Sequence, residues 1–159
     1  NIAKVNVMNI KLYLAGGFDT DNFSKFNQDY FFKEIKNNKN IEYLGELKDV
    51  RSLWKKTHIA ILASEREGLP KSLLEAASMG KAIIASDVVG CREIAINGVN
   101  AITFKKGNIE DLAKAIIYLS THHKIRENYG SNSRKLVESD MSEEMVIQKT
   151  LSIYQTLVF

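Results

Sequence analysis

The sequence holds a single proline, Pro70, among 159 residues. Disordered chains are usually rich in proline and charge and poor in apolar residues, whereas this one is 45% hydrophobic and 26% charged, which excludes a disordered linker. Cysteine is nearly absent too. With Cys91 alone no intrachain disulfide can form, which fits a reducing compartment. Histidine is scarce: His122 and His123 are adjacent, face different ways on a helix and have no cysteine nearby, so no metal-ligand spacing is present. His58 stands alone at the start of an apolar run and reads as structural. The net charge of +3 is too small to argue for a nucleic-acid partner and suits an anionic membrane or substrate only weakly. No apolar run approaches a membrane span and no secretory leader pattern is visible. Repeats and low-complexity tracts are missing as well. What remains is a chain long enough for one domain with a real core, expected in the cytoplasm.

The informative stretch is SEREGLPKSLLEAASMGKAIIASD, Ser64 to Asp87. The apolar run from His58 to Ser64 suits a buried parallel strand. A polar loop with Gly68 and Pro70 follows. Leu73, Leu74, Ala76, Ala77 and Met79 then predict a short helix, stopped by Gly80, and Lys81 to Ala85 predicts the next strand. This strand, loop, helix, strand order belongs to a parallel α/β sheet. Proline is tolerated in a first helical turn, so the helix should begin near Pro70. The N–H groups of Lys71, Ser72 and Leu73 are then expected free at the carboxyl edge of the sheet, a ready anion site. Glu67 in the loop and Glu75 one turn into the helix frame that site. Carboxylates accept from sugar hydroxyls while amides hold phosphates, so the pattern points to a sugar nucleotide. Two solvated glutamates near a helix start are the plainer alternative.

The remaining elements follow from period and punctuation. Lys11 to Ala15 reads as a strand closed by Gly16-Gly17, either a tight turn or a backbone approach to ligand. Asp21 to Asn38 reads as a helix whose aromatic stripe, Phe23, Phe26, Tyr30 and Phe31, is core. Asn40 to Gly45 is the next strand. Asp49 caps a helix carrying Leu53 and Trp54. Gly90 lets the backbone turn into a helix near Arg92, whose amides or cation could face the ligand or lie on a surface turn. Cys91 is a small buried filler. Asn97 to Asn100 is a turn and Ala101 to Phe104 a strand. Asn108 and Asp111 open a helix with Leu112, Ala115, Ile116 and Leu119 inward. His122 to Ser139 continues helical, with Lys124, Arg126, Arg134 and Lys135 on a solvated face. Ser142 opens a last helix whose apolar face includes Ile147, Leu151, Tyr154 and Val158.

Glu67-Gly-Leu-Pro-x4-Glu75-Ala-Ala-x-x-Gly80-Lys-x-Ile-Ile-x-x-Asp87, followed by Gly90-Cys-Arg-Glu93, resembles the Glu-x7-Glu signature of retaining, GT-B-fold glycosyltransferases of family four. The likeness is nearest to bacterial members that build capsule, O-antigen or lipid-linked oligosaccharides, and it runs from about Lys11 to the C-terminus. It implies an α/β fold, a single Rossmann-like domain with a parallel sheet flanked by helices, as the C-terminal donor-binding half of a GT-B enzyme over residues 1–159. It implies a retaining transfer, with no required metal, from a nucleotide sugar (a UDP-sugar by preference) to a glycan or lipid-linked acceptor. Glu67 would be catalytic, binding donor-sugar hydroxyls and stabilising charge. Gly68, Leu69, Pro70, Lys71 and Ser72 would line the donor, with amides from this run on sugar and phosphate, and Glu75 would bind the ribose. Gly45 and Leu47 would lie beside the base. Acceptors of this kind imply peripheral association with the inner membrane face.

The resemblance also exposes a gap. The family carries a Gly-Arg-Leu-like segment and a Lys-Gly before the strand matched by Lys11 to Ala15; Asn1 to Ile10 holds neither, and Lys4 sits in no such pattern. The chain starts at Asn1 rather than Met, so it is expected to be processed or part of something longer, with the acceptor-binding domain elsewhere and little turnover by this chain alone. The alternatives are a non-catalytic or degenerate nucleotide-sugar-binding domain from a split gene, a GT-B-like epimerase or phosphorylase, and a flavodoxin-like interaction module. The last would not need Glu67 and Glu75 at these places.

Overall fold

A computed structural model describes residues 10–18 and 28–157. Contacts divide the chain into two compact units, Asn1–Val50 and Arg51–Phe159. The parallel α/β character expected from the sequence is present in each, with the strands forming one sheet per unit.

In the first unit, strands β1 (Leu12–Ala15) and β2 (Ile41–Gly45) pair in parallel, and helix α1 (Gln28–Lys36) lies between them in sequence. The two strand ends are tied together: the Gly16 N–H donates to the Gly45 carbonyl at 2.8 Å and the Tyr43 hydroxyl to the Gly16 carbonyl at 2.8 Å. The aromatic stripe is only partly as expected. Phe31 packs edge-on against Phe18 and Tyr43 with Phe32 alongside, but Tyr30 is 63% exposed. Phe31 and Phe32 share the Phe18 and Tyr43 rings, and Tyr30 lies a further 100° round the helix from Phe31. Phe23 and Phe26 lie outside the described residues, as do the chain's first nine.

The second unit is built on a three-stranded parallel sheet in the order β3 (Ile59–Leu62), β4 (Ala82–Ser86), β5 (Ala101–Phe104). Helices α2 (Arg51–Lys56), α3 (Lys71–Ser78), α4 (Val89–Arg92), α5 (Ile109–Thr121), α6 (His123–Asp140) and α7 (Glu143–Leu157) complete it. Every residue of β4 is buried, as expected of a central strand covered on both faces. Side chains alternate across a strand, and the core divides accordingly. Ala60, Ile83, Ala85 and Ala101 meet α3, Cys91 and Ile94 on one face; Ile59, Ile61, Ala82, Ile84 and Phe104 meet the α5 stripe, Ile125 and Tyr129 on the other. Burying each isoleucine contributes about 1.5–3 kcal/mol.

Local signals close the elements. Gly80 adopts φ +65°, and its N–H and that of Lys81 donate to the Ala77 and Ala76 carbonyls, the two bonds of a Schellman stop. The Asn108 side chain accepts from the Asp111 N–H at 3.1 Å and starts α5. The long helical run breaks once, at His122, so α5 and α6 are separate. Arg126 donates to the Leu119 and Ser120 carbonyls and closes the end of α5, and Arg134 donates to the Ser78 carbonyl at the end of α3. Both were expected on a solvated face. They are held because the last carbonyls of a helix lack internal partners. Met145 of α7 is half-buried, whereas Ile147, Leu151 and Tyr154 are exposed, and Val158 is outside the described residues. Among the described residues no helix is long and apolar enough to cross a membrane.

Candidate functional site

The β3–α3 loop and the first turn of α3 form the front of the second unit's sheet. Pro70 occupies the N-cap with extended backbone, φ −71° and ψ 110°, and is buried. Contrary to expectation, the Leu73 N–H is not free: it donates to the Pro70 carbonyl at 3.0 Å, and Leu74 donates to the same oxygen. An N-cap carbonyl already accepts the first helical bonds, so starting one residue later removes Leu73 from the open end. The Lys71 and Ser72 N–H groups have no protein acceptor among the described residues, and neither do those of Gly68 and Leu69. Four amides therefore stand unpaired around a proline that has none to offer.

Glu67 and Glu75 are both half-buried. Among the described residues neither carboxylate makes a hydrogen bond or an ion pair, and the Lys71 ammonium is unpaired as well. Glu75 stands three and four residues after Ser72 and Lys71, hence on their face of α3. Helical side chains lean toward the N-terminus, which brings its carboxylate toward the open amides. Glu67 lies close enough to α4 for its charge to be felt at the Cys91 thiol.

Cys91 is fully buried, as expected, and burial, with the Glu67 carboxylate adding to it, pushes its thiol above the ordinary range while the Ser86 hydroxyl opposes this. Ser86 is itself buried and donates to the Ser64 carbonyl at 2.5 Å, tying β4 to the end of β3. Arg92 is not at a helix start. It ends α4, its N–H donates to Val88, and its Nε sits 2.6 Å from the Asp87 carboxylate. That partner holds Asp87 below the usual carboxylate range and raises Arg92, so the cation is engaged on the surface.

Sequence reasoning missed what Gly90 touches. It is buried, and a methyl at its Cα would overlap the carbonyl oxygens of Glu67 and Gly68, with the Gly68 carbonyl carbon 2.6 Å away. The only signal was its place in Gly90-Cys-Arg-Glu93. A cavity of about 160 Å³ at the β3 end is lined by residues that include Ser64, Ser86, Phe104, Lys106 and Asn108, and by neither Glu67 nor Glu75. In the first unit Gly45 ends β2 with φ +65°, and Leu47 follows, half-buried. His58 is exposed. Among the described residues no group of three or more His, Cys, Asp or Glu could hold a metal ion.

Comparison with known proteins identifies relatives of this chain. The chain is 27% identical over 150 residues to the capsular polysaccharide biosynthesis glycosyltransferase CapM of Staphylococcus aureus, covering 94% of this chain and 39% of CapM. It is 33% identical over 126 residues to the N,N'-diacetylbacillosaminyl-diphospho-undecaprenol alpha-1,3-N-acetylgalactosaminyltransferase of Campylobacter jejuni, covering 79% of this chain and 33% of that protein. The chain thus spans well under half the length of these relatives. Among solved structures, Anabaena HepE in complex with UDP-glucose superposes with a TM-score of 0.76 at 20% identity, over 92% of this chain and 40% of HepE. The resemblance to GT-B glycosyltransferases holds. Residues 2–136 match the glycosyl transferases group 1 family, and with the Glu67 to Glu75 element in place at the front of its sheet, the chain belongs to that family.

Proposed function

We propose that this chain is the donor-binding domain of a retaining glycosyltransferase that moves a sugar from a UDP-sugar to a hydroxyl of a glycan or lipid-linked acceptor. One observation carries the reading. Two half-buried carboxylates flank four amides and a lysine, all without a protein partner among the described residues. The amides and the lysine are exposed and so open to a ligand's anionic oxygens, while the half-buried carboxylates are acceptors open to hydroxyls, a combination that suits a ligand bringing both. The amides of Gly68, Leu69, Lys71 and Ser72, with the Lys71 cation, meet the diphosphate. Glu75 accepts from the ribose hydroxyls. Glu67 accepts from hydroxyls of the donor sugar and stabilises positive charge near the reacting carbon.

The chemistry is consistent with that arrangement. Departure of a nucleoside diphosphate builds negative charge on its oxygens, and fixed amides stabilise that charge without reorganising. The carboxylates are not a glycosidase pair, which must straddle one glycosidic bond, since Glu75 serves the nucleoside end. The relatives' names, capsular polysaccharide biosynthesis in one and a diphospho-undecaprenol in the other, support a surface-glycan or lipid-linked acceptor, and such an acceptor would place the work at the inner face of a membrane.

The test is an NMR titration of the chain with UDP, GDP and ADP, then UDP-sugars. Saturable shifts at Gly68, Leu69, Lys71 and Ser72 with UDP are expected, reduced in Glu75→Gln. Absence of any shift at millimolar nucleotide would overturn the proposal.

A further inference from the structure

Gly90 is glycine for a reason its own backbone does not supply. The glycines with left-handed backbone are Gly16, Gly45, Gly80, Gly98 and Gly107; Gly90 is not among them. It lies inside α4, where glycine is among the poorest helix formers. What requires it is close approach, because a Cβ at this position would collide with the carbonyl oxygens of Glu67 and Gly68. Those contacts are with backbone and cannot be relieved by a side-chain rotation.

The direction of those carbonyls decides where the loop's amides point. The chain has no cis peptide among the described residues, and in a trans peptide the C=O and the following N–H are antiparallel. With the Glu67 and Gly68 carbonyls turned down onto Gly90, the Gly68 and Leu69 N–H groups point up and away from it. Gly68 and Leu69 are both exposed while Gly90 is buried, and neither amide has an acceptor among the described residues.

We infer that Gly90 is a positioning residue for donor binding: it is the floor that holds the Glu67–Gly68 carbonyls down and so presents the Gly68 and Leu69 amides to the donor's diphosphate. This rests on the donor-site reading given above. Gly130 offers the matching control. A methyl there would overlap the Gly80 carbonyl oxygen, again a clash with backbone but at the far end of α3, so its loss disturbs packing without turning the loop.

The experiment compares UDP affinity and amide spectra of the full 159-residue chain with those of Gly90→Ala and Gly130→Ala, at a temperature where each is folded. Gly90→Ala should shift the Glu67, Gly68 and Leu69 amide resonances in the free protein and weaken UDP at least tenfold. Gly130→Ala should lower thermal stability and leave UDP affinity within about twofold. Should Gly90→Ala not fold, amide exchange in the unaltered chain decides: the Gly68 and Leu69 amides should exchange fast when free and gain protection with UDP. Unchanged affinity in Gly90→Ala, or Gly68 and Leu69 amides already protected without ligand, overturns the inference while leaving the donor site standing. A chain that binds no UDP overturns the donor site and this inference together.

Discussion

Replacing Glu75 by alanine separates a binding role from a structural one, because the two predict opposite balances of stability and affinity. The carboxylate is half-buried on α3 and, among the described residues, has no hydrogen-bond or ion-pair partner. It is beyond the first turn, where the helix dipole would reward it, and alanine is the better helix former. Its removal therefore should change stability by no more than about 0.5 kcal/mol, or about 1–2 °C in Tm for a chain of this size. Binding should respond far more. A hydrogen bond to a charged acceptor is worth about 1.5–3 kcal/mol, which weakens UDP by about tenfold to a hundredfold. Glu75→Gln, keeping the shape and losing the charge, should fall between. Tm by calorimetry and UDP affinity by titration of the same samples test this. A Tm loss above about 5 °C with unchanged affinity would show Glu75 to be a packing residue and refute the reasoning.

Asn100 is 1% exposed and bridges the Ile96 N–H and the Ile94 carbonyl, each at 2.8 Å. Asn100→Ala leaves both bare and should cost about 2–4 kcal/mol, read from the urea midpoint; a loss below about 0.5 kcal/mol would contradict the assignment. Asp87 is held below its ordinary value of 3.8 by Arg92. Its contribution is full above the unfolded pKa and lost as pH falls through the folded one, so the Tm difference between the unaltered chain and Asp87→Asn should be present at neutral pH and vanish on acidification. A difference that persists below about pH 2 would count against the ion pair. Cys91, buried and with its thiol pushed up, should resist a thiol reagent at neutral pH until the chain is unfolded; rapid labelling of the native chain would show that α4 opens.

Much of the fold was legible because its causes are local. Strand β5 falls where its apolar run predicted, α3 stops at Gly80, and Asn108 starts α5. Period, caps and helix stops depend on residues within a few places of one another, so they can be read in a short window. Glu67 and Glu75 were likewise legible as a pair, since one loop and one helix set their spacing. The open amides were read one place off, because whether Pro70 is the cap or the first helical residue depends on its ψ angle and not on its identity.

Contacts between distant segments were not legible. Tyr30, expected in the core, is exposed, while Phe31 meets the Phe18 and Tyr43 rings, which come from segments outside its own helix. Arg134 reaches the Ser78 carbonyl, 56 positions away, and nothing in either neighbourhood marks that approach. Gly90 is the sharpest case, since no property of its own window requires glycine. The sequence by itself determined the elements, their order and the carboxylate pair, through short-range periodicity and backbone preference. Only the tertiary structure decided which amides stay open and what holds them so, because two backbone segments more than twenty residues apart meet at a distance that excludes a single methyl group.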